Sequence, residues 1–114
     1  MIEFKNLTKR HIHTVIFKKL YKKIFHRKFE LSVVFAPYLL MKQLNMKYRG
    51  KNKPANVLSF LIEKGVRGEI FLNINEKNLP YLFTHGALHL KGFDHKNNKG
   101  ANMMGNLEKK LLNQ

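Results

Sequence analysis

The stretch Thr84–His95 reads THGALHLKGFDH and holds three of the six histidines in a chain of 114 residues. His85 and His89 are four apart, a spacing that on a helix sets two imidazoles one above the other on one face. Gly92 comes three residues later. It can take the left-handed conformation that ends a helix, so the chain can return His95 toward the pair. Three neutral imidazoles suit one zinc ion and leave its fourth tetrahedral position to water, the arrangement of a catalytic rather than a structural site. The chain has no cysteine, so a transition metal here depends on histidine, carboxylate or carbonyl donors. His85, His89 and His95 are therefore the expected metal ligands. Asp94 has three possible uses: to orient an imidazole from behind, to assist proton transfer, or to cap the turn before His95.

The spacing also dictates what must surround it. Pro80 suits the first turn of a helix, and YLFTHGALHL then continues that helix to Gly92. Upstream, apolar residues from Lys9 to about His26 recur at Ile12, Val15, Ile16, Leu20, Ile24 and Phe25, close to helical spacing. Thr8 is the expected N-cap. Residues 29–36, FELSVVFA, read as a strand. Pro37 opens a short helix expected to stop near Asn45, and YRGKNKPAN reads as a basic, turn-rich loop. NVLSFLIE (56–63) and RGEIFLNI (67–74) are two strands joined through Lys64-Gly65. A last helix runs from Asn98 to about Leu112, with Met103, Met104, Leu107, Leu111 and Leu112 along it. The expected order is helix, strand, helix, two strands and two helices. This is an α+β fold: one domain over residues 1–114 with a small mixed sheet packed by helices, the histidine motif on a helix and the turn after it.

Charge narrows the partners. Lys and Arg number 22 against 7 Asp and Glu, a formal net charge of +15. Such a chain repels itself and favours a polyanion, with nucleic acid leading. The first helix carries Lys18, Lys19, Lys22 and Lys23 opposite its apolar face, which fits a solvated basic face and also contact with RNA phosphate or lipid. No apolar run approaches the length of a membrane span. The N-terminal residues lack the apolar segment of a secretory signal. A cytoplasmic protein without a membrane partner is expected.

The pattern His-x-x-x-His-x-x-Gly-x-x-His is similar to the zinc motif of metzincin proteases. In those enzymes a glutamate base follows the first histidine, and here that residue is Gly86. Zinc still acidifies water bound to it, so the missing part is the carboxylate base and not the nucleophile. A zinc peptidase is thus the weaker alternative.

The full stretch H-G-x-L-H-L-x-G-[FY]-D-H resembles the signature of the YbeY family of bacterial metal-dependent endoribonucleases, matched at every specified position from His85 to His95. Leu44, Asn45, Tyr48 and Arg49 match the family's L-N-x-x-Y-R. Val57 to Phe60 match its V-L-S-F strand, and Gly68-Glu69-Ile70 match its G-[DE]-I strand. Met104, Leu107 and Glu108 match a late Met-x-x-Leu-Glu pattern. The resemblance implies one Zn2+ on His85, His89 and His95, with Arg49 as the catalytic arginine facing the metal across a cleft. It implies a single-strand-specific endoribonuclease of ribosomal RNA processing, including maturation of the 16S rRNA 3′ end, and of ribosome quality control. Its partners would be single-stranded RNA, ribosomal RNA and the ribosome. A non-catalytic RNA- or ribosome-binding protein with a structural zinc is the alternative. Two departures stand out. Ala55-Asn56 replaces the family's usual Thr-Asp, and little lies between Asn73 and Pro80.

Overall fold

The structure is a computed structural model that describes residues 1–92 and the helix from residue 98 to 112, with side chains in that helix from residue 105. In chain order the elements are β1 (Ile2–Asn6), α1 (Val15–Ile24), β2 (Glu30–Ala36), α2 (Tyr38–Arg49), β3 (Val57–Glu63), β4 (Arg67–Asn73), α3 (Leu79–Leu90) and α4 (Asn98–Leu112). The fold is α+β with a mixed sheet, as the sequence predicts.

The four strands lie in the order β1-β2-β4-β3. β1 and β4 both run parallel to β2, and β3 pairs antiparallel with β4. The β3–β4 turn uses Gly65 at φ 75°, where a side chain would be strained. β2 sits inside the sheet and is buried on both faces. Leu31, Val33 and Phe35 enter the larger core, while Ala36 enters a smaller one on the opposite side. This is the period-2 division of a pleated strand. α1, α3 and α4 cover the larger core, and α2 covers the smaller. Phe17 of α1 meets Phe35 and Phe83 edge-on, each at 5.4 Å between ring centroids. Burying each such aromatic contributes roughly 1.5–3 kcal/mol.

The structure corrects the sequence reading in three places. β1 was not foreseen, because IEFKN is a short, half-polar edge strand whose partner lies some thirty residues away. The first helix begins at Val15 and not at Lys9, and Thr8 does not cap it. Instead the Asn6 side chain accepts from the Thr8 amide and hydroxyl at 2.9 and 2.6 Å and donates to the Arg10 carbonyl at 2.7 Å. That local turn competes with helix. The second helix passes Asn45 and continues to Arg49, stopping at Gly50 with φ 68°. Asn45 is not an end signal but a buried side chain, whose amide donates to the Lys53 carbonyl at 2.8 Å. Arg49 is thereby placed on a helix's last turn and not in a loop.

Candidate active site

α3 is two-sided. Phe83 and Ala87 point into the larger core with no exposed surface, and this anchors the helix. Tyr81, His85 and His89, each four residues from the next, line a groove on its other side. Gly86 lets the helix approach the sheet. A Cβ at that position would lie 2.7 Å from the Ser59 hydroxyl, 3.2 Å from Val57 and 3.3 Å from Ile70. The glutamate of a metzincin motif therefore has no room here, and the contact that excludes it also seats α3 on β3 and β4. Ser59 donates to the Gly86 carbonyl at 3.0 Å.

The groove has a volume of about 870 Å3 and runs across the end of the sheet at β3. On one wall are the α3 histidines. Arg49, at the end of α2, lines the same groove with Lys51 and Lys53 of the loop that follows. Of the four residues assigned to the site from sequence, His85, His89 and Arg49 thus meet in one cleft. His95 and Asp94 lie outside the described residues.

The imidazoles converge. His85 Nε2 and His89 Nε2 are 3.1 Å apart. A tetrahedral zinc with bonds of 2.0–2.1 Å separates two nitrogen ligands by about 3.3–3.4 Å. The pair therefore fits such an ion after a movement of a few tenths of an ångström. Among the described residues no three His, Cys, Asp or Glu side chains gather as a metal-binding group, so the two need a further donor.

One contributor to the site was hidden in the sequence. Glu108 of α4 is buried, its side chain only 5 % exposed, and its carboxylate lies 3.2 Å from His85 Nδ1. A carboxylate only accepts, so Nδ1–H is the donor in this contact, and the ring then turns Nε2 toward His89. A carboxylate behind one ring nitrogen is the kind of contact that orients a histidine at a metal site. Tyr81 joins the same network. Burial raises its pKa above the usual phenol value, and the Glu108 charge and a hydrogen bond to Glu108 raise it further. In the sequence Glu108 stands out only as part of a family pattern, since its separation from His85 by 23 residues carries no local signal.

Ala55-Asn56 can also be placed. Ala55 is buried with Met41 and Leu58 in the smaller core, and Asn56 is exposed on the groove. The loop's backbone is held from β4: the Asn73 side-chain amide donates to the Ala55 carbonyl at 3.2 Å, and the Asn73 backbone amide donates to the Asn56 carbonyl at 3.0 Å. Neither bond uses the side chain at 55 or 56.

An α+β domain that brings two convergent imidazoles and an arginine to a basic groove belongs to a class defined by its site as much as by its fold. The comparisons with known proteins say which family. The sequence model described as Endoribonuclease YbeY matches residues 2–77 and 70–114, and the chain belongs to this YbeY family of endoribonucleases, RNA-cutting hydrolases. Endoribonuclease YbeY of Buchnera aphidicola from Acyrthosiphon pisum is 36 % identical, with 95 % of this chain and 81 % of that protein covered. The protein of the same description from Syntrophomonas wolfei is 34 % identical over 75 % of this chain and 72 % of its own. Among solved structures, the solution structure of TM1509 from Thermotoga maritima superposes with a TM-score of 0.65 at 27 % identity, covering 98 % of this chain and 87 % of the other.

Proposed function

We propose that this chain is a zinc-dependent endoribonuclease that cuts single-stranded RNA in ribosomal RNA processing, including 16S rRNA 3′ end maturation and ribosome quality control. Its setting would be the cytoplasm, in association with the ribosome. The observation that carries the reading is the meeting of His85, His89 and Arg49 in one groove. One Zn2+ would be held by His85, His89 and His95, and when bound it supplies Lewis acidity at the scissile phosphate.

The chain's own residues do the rest. Glu108 holds His85 in the tautomer that offers Nε2. The guanidinium of Arg49 matches a phosphate with two hydrogen bonds and offsets charge that grows on it during cleavage. Lys51 and Lys53 draw the RNA backbone along the groove without regard to sequence. The absence of a carboxylate at Gly86 is no obstacle to phosphate chemistry that uses Arg49 for charge, whereas it removes the base that peptide hydrolysis requires. No described helix is long and apolar enough to cross a membrane.

The test is cleavage of a single-stranded RNA by the parent, Arg49→Ala and His89→Ala proteins purified side by side. A contaminating ribonuclease would cut equally in all three. Activity in the parent, with a loss of roughly 10²–10³ in rate on removing the arginine and comparable loss on removing the histidine, is expected. Equal activity, or none, in all three would overturn the catalytic reading in favour of an RNA- or ribosome-binding protein.

A further inference from the structure

We propose that Tyr48, braced by Phe60, is a stacking platform for one base of the RNA strand, beside the arginine in the groove. The inference rests on the reading of the groove as a single-stranded RNA site and adds the group that recognises the strand as single.

Tyr48 is 56 % exposed although it is a large aromatic, and it lines the groove next to Arg49. A lone exposed aromatic on a helix needs no explanation. This one stands on a built support. Its ring meets Phe60 with centroids 5.0 Å apart and planes at 62°, and Phe60 in turn meets Phe71 at 5.7 Å and 87°. Phe60 and Phe71 pack against the smaller core, so the chain of three rings runs from that core to the groove. The support restrains the outermost ring, which lowers the entropy cost of stacking on it.

The surroundings match what a single strand needs. The Lys47 ammonium lies over the Tyr48 ring, 5.2 Å from its centroid, so this π face already holds a cation that a base would have to displace. A base can take this place while the flexible lysine moves to a phosphate. Arg49, Lys51 and Lys53 follow within five residues along the chain. Aromatic rings interleaved with cations are how single strands are held without sequence preference. In a duplex both faces of a base are already stacked, so this platform rejects paired RNA.

The experiment measures binding of a fluorescent single-stranded oligoribonucleotide and of an equal-length strand with abasic residues at its four central positions. The protein carries His89→Ala to prevent cutting, alone or with Tyr48→Ala or Tyr48→Phe, and melting curves confirm that each variant folds. Tyr48→Ala should weaken binding of the intact strand by roughly 5- to 150-fold, the range for one base–aromatic stack. Tyr48→Phe should stay within about twofold of its parent. On the abasic strand the alanine variant and its parent should bind alike. Equal weakening on both strands, or no weakening on either, overturns the platform. Failure of the parent to bind the intact strand sinks the groove reading itself, a result distinct from selective loss of the base-dependent part.

Discussion

Replacing Gly86 by alanine tests the close contact that seats the histidine helix. Two effects oppose each other. Alanine favours helix over glycine by about 1 kcal/mol at an exposed site. Here the new methyl would lie 2.7 Å from the Ser59 hydroxyl and 3.2 Å from a Val57 methyl. Overfilling a packed interior costs about 1–3 kcal/mol. Displacing the Ser59 hydroxyl also breaks its 3.0 Å bond to the Gly86 carbonyl, about 0.5–1.5 kcal/mol more. The clash and the lost bond outweigh the helix gain, for a net destabilisation of roughly 0.5–3.5 kcal/mol. A domain of this size loses about 3–6 °C in Tm per kcal/mol. Thermal melts of Gly86→Ala should therefore show a fall of roughly 2–20 °C, and urea melts a lower midpoint at unchanged m-value. Ser59→Ala removes the nearest atom, so the double variant should lose less than the two single changes summed, with a coupling of about 0.5–3 kcal/mol. A Gly86→Ala protein as stable as the parent, or more stable, would refute the claim that steric contact with β3 dictates glycine here. Additive single changes would show that Ser59 is not the obstructing group.

Three further outcomes are expected. Glu108→Ala should weaken zinc binding by roughly 10- to 100-fold in a chelator competition, and Glu108→Gln, which still offers an oxygen to His85 Nδ1, should recover most of it; equal affinity in all three proteins would remove Glu108 from the site. With Arg49, Lys51 and Lys53 each meeting a phosphate, the logarithm of single-stranded RNA affinity should fall with log salt at a slope of about −2. The slope should drop to about −0.7 when both lysines become alanine, whereas an unchanged slope would place the phosphates elsewhere. Asn73→Ala removes the side-chain donor to the Ala55 carbonyl, and should cost about 1–3 kcal/mol by chemical denaturation; a neutral result would mean the loop holds without it.

The sequence by itself determined the candidate site residues and most of the elements. His85 and His89 were legible as a pair because helical spacing is a local rule that needs no partner in space. The strands 29–36, 56–63 and 67–74 were legible through their β-branched and aromatic content, and the helix from Asn98 through its apolar spacing. Recognition of the YbeY pattern also marked Arg49, which composition alone would have left among 22 basic residues. What local rules could not reach was decided by contacts distant in sequence. β1 exists because Ile2 to Asn6 find β2 beside them. α2 reaches Arg49 because Asn45 spends its polar group on Lys53 across a loop. The reason for glycine at 86 lies in Ser59, Val57 and Ile70 of the two strands that α3 packs on, and the carboxylate that meets His85 Nδ1 comes from Glu108 of another helix. Spacing along one helix states which groups can face the same way. Only packing between elements, where each atom's room and hydrogen-bond partner come from elsewhere in the chain, decides what they face.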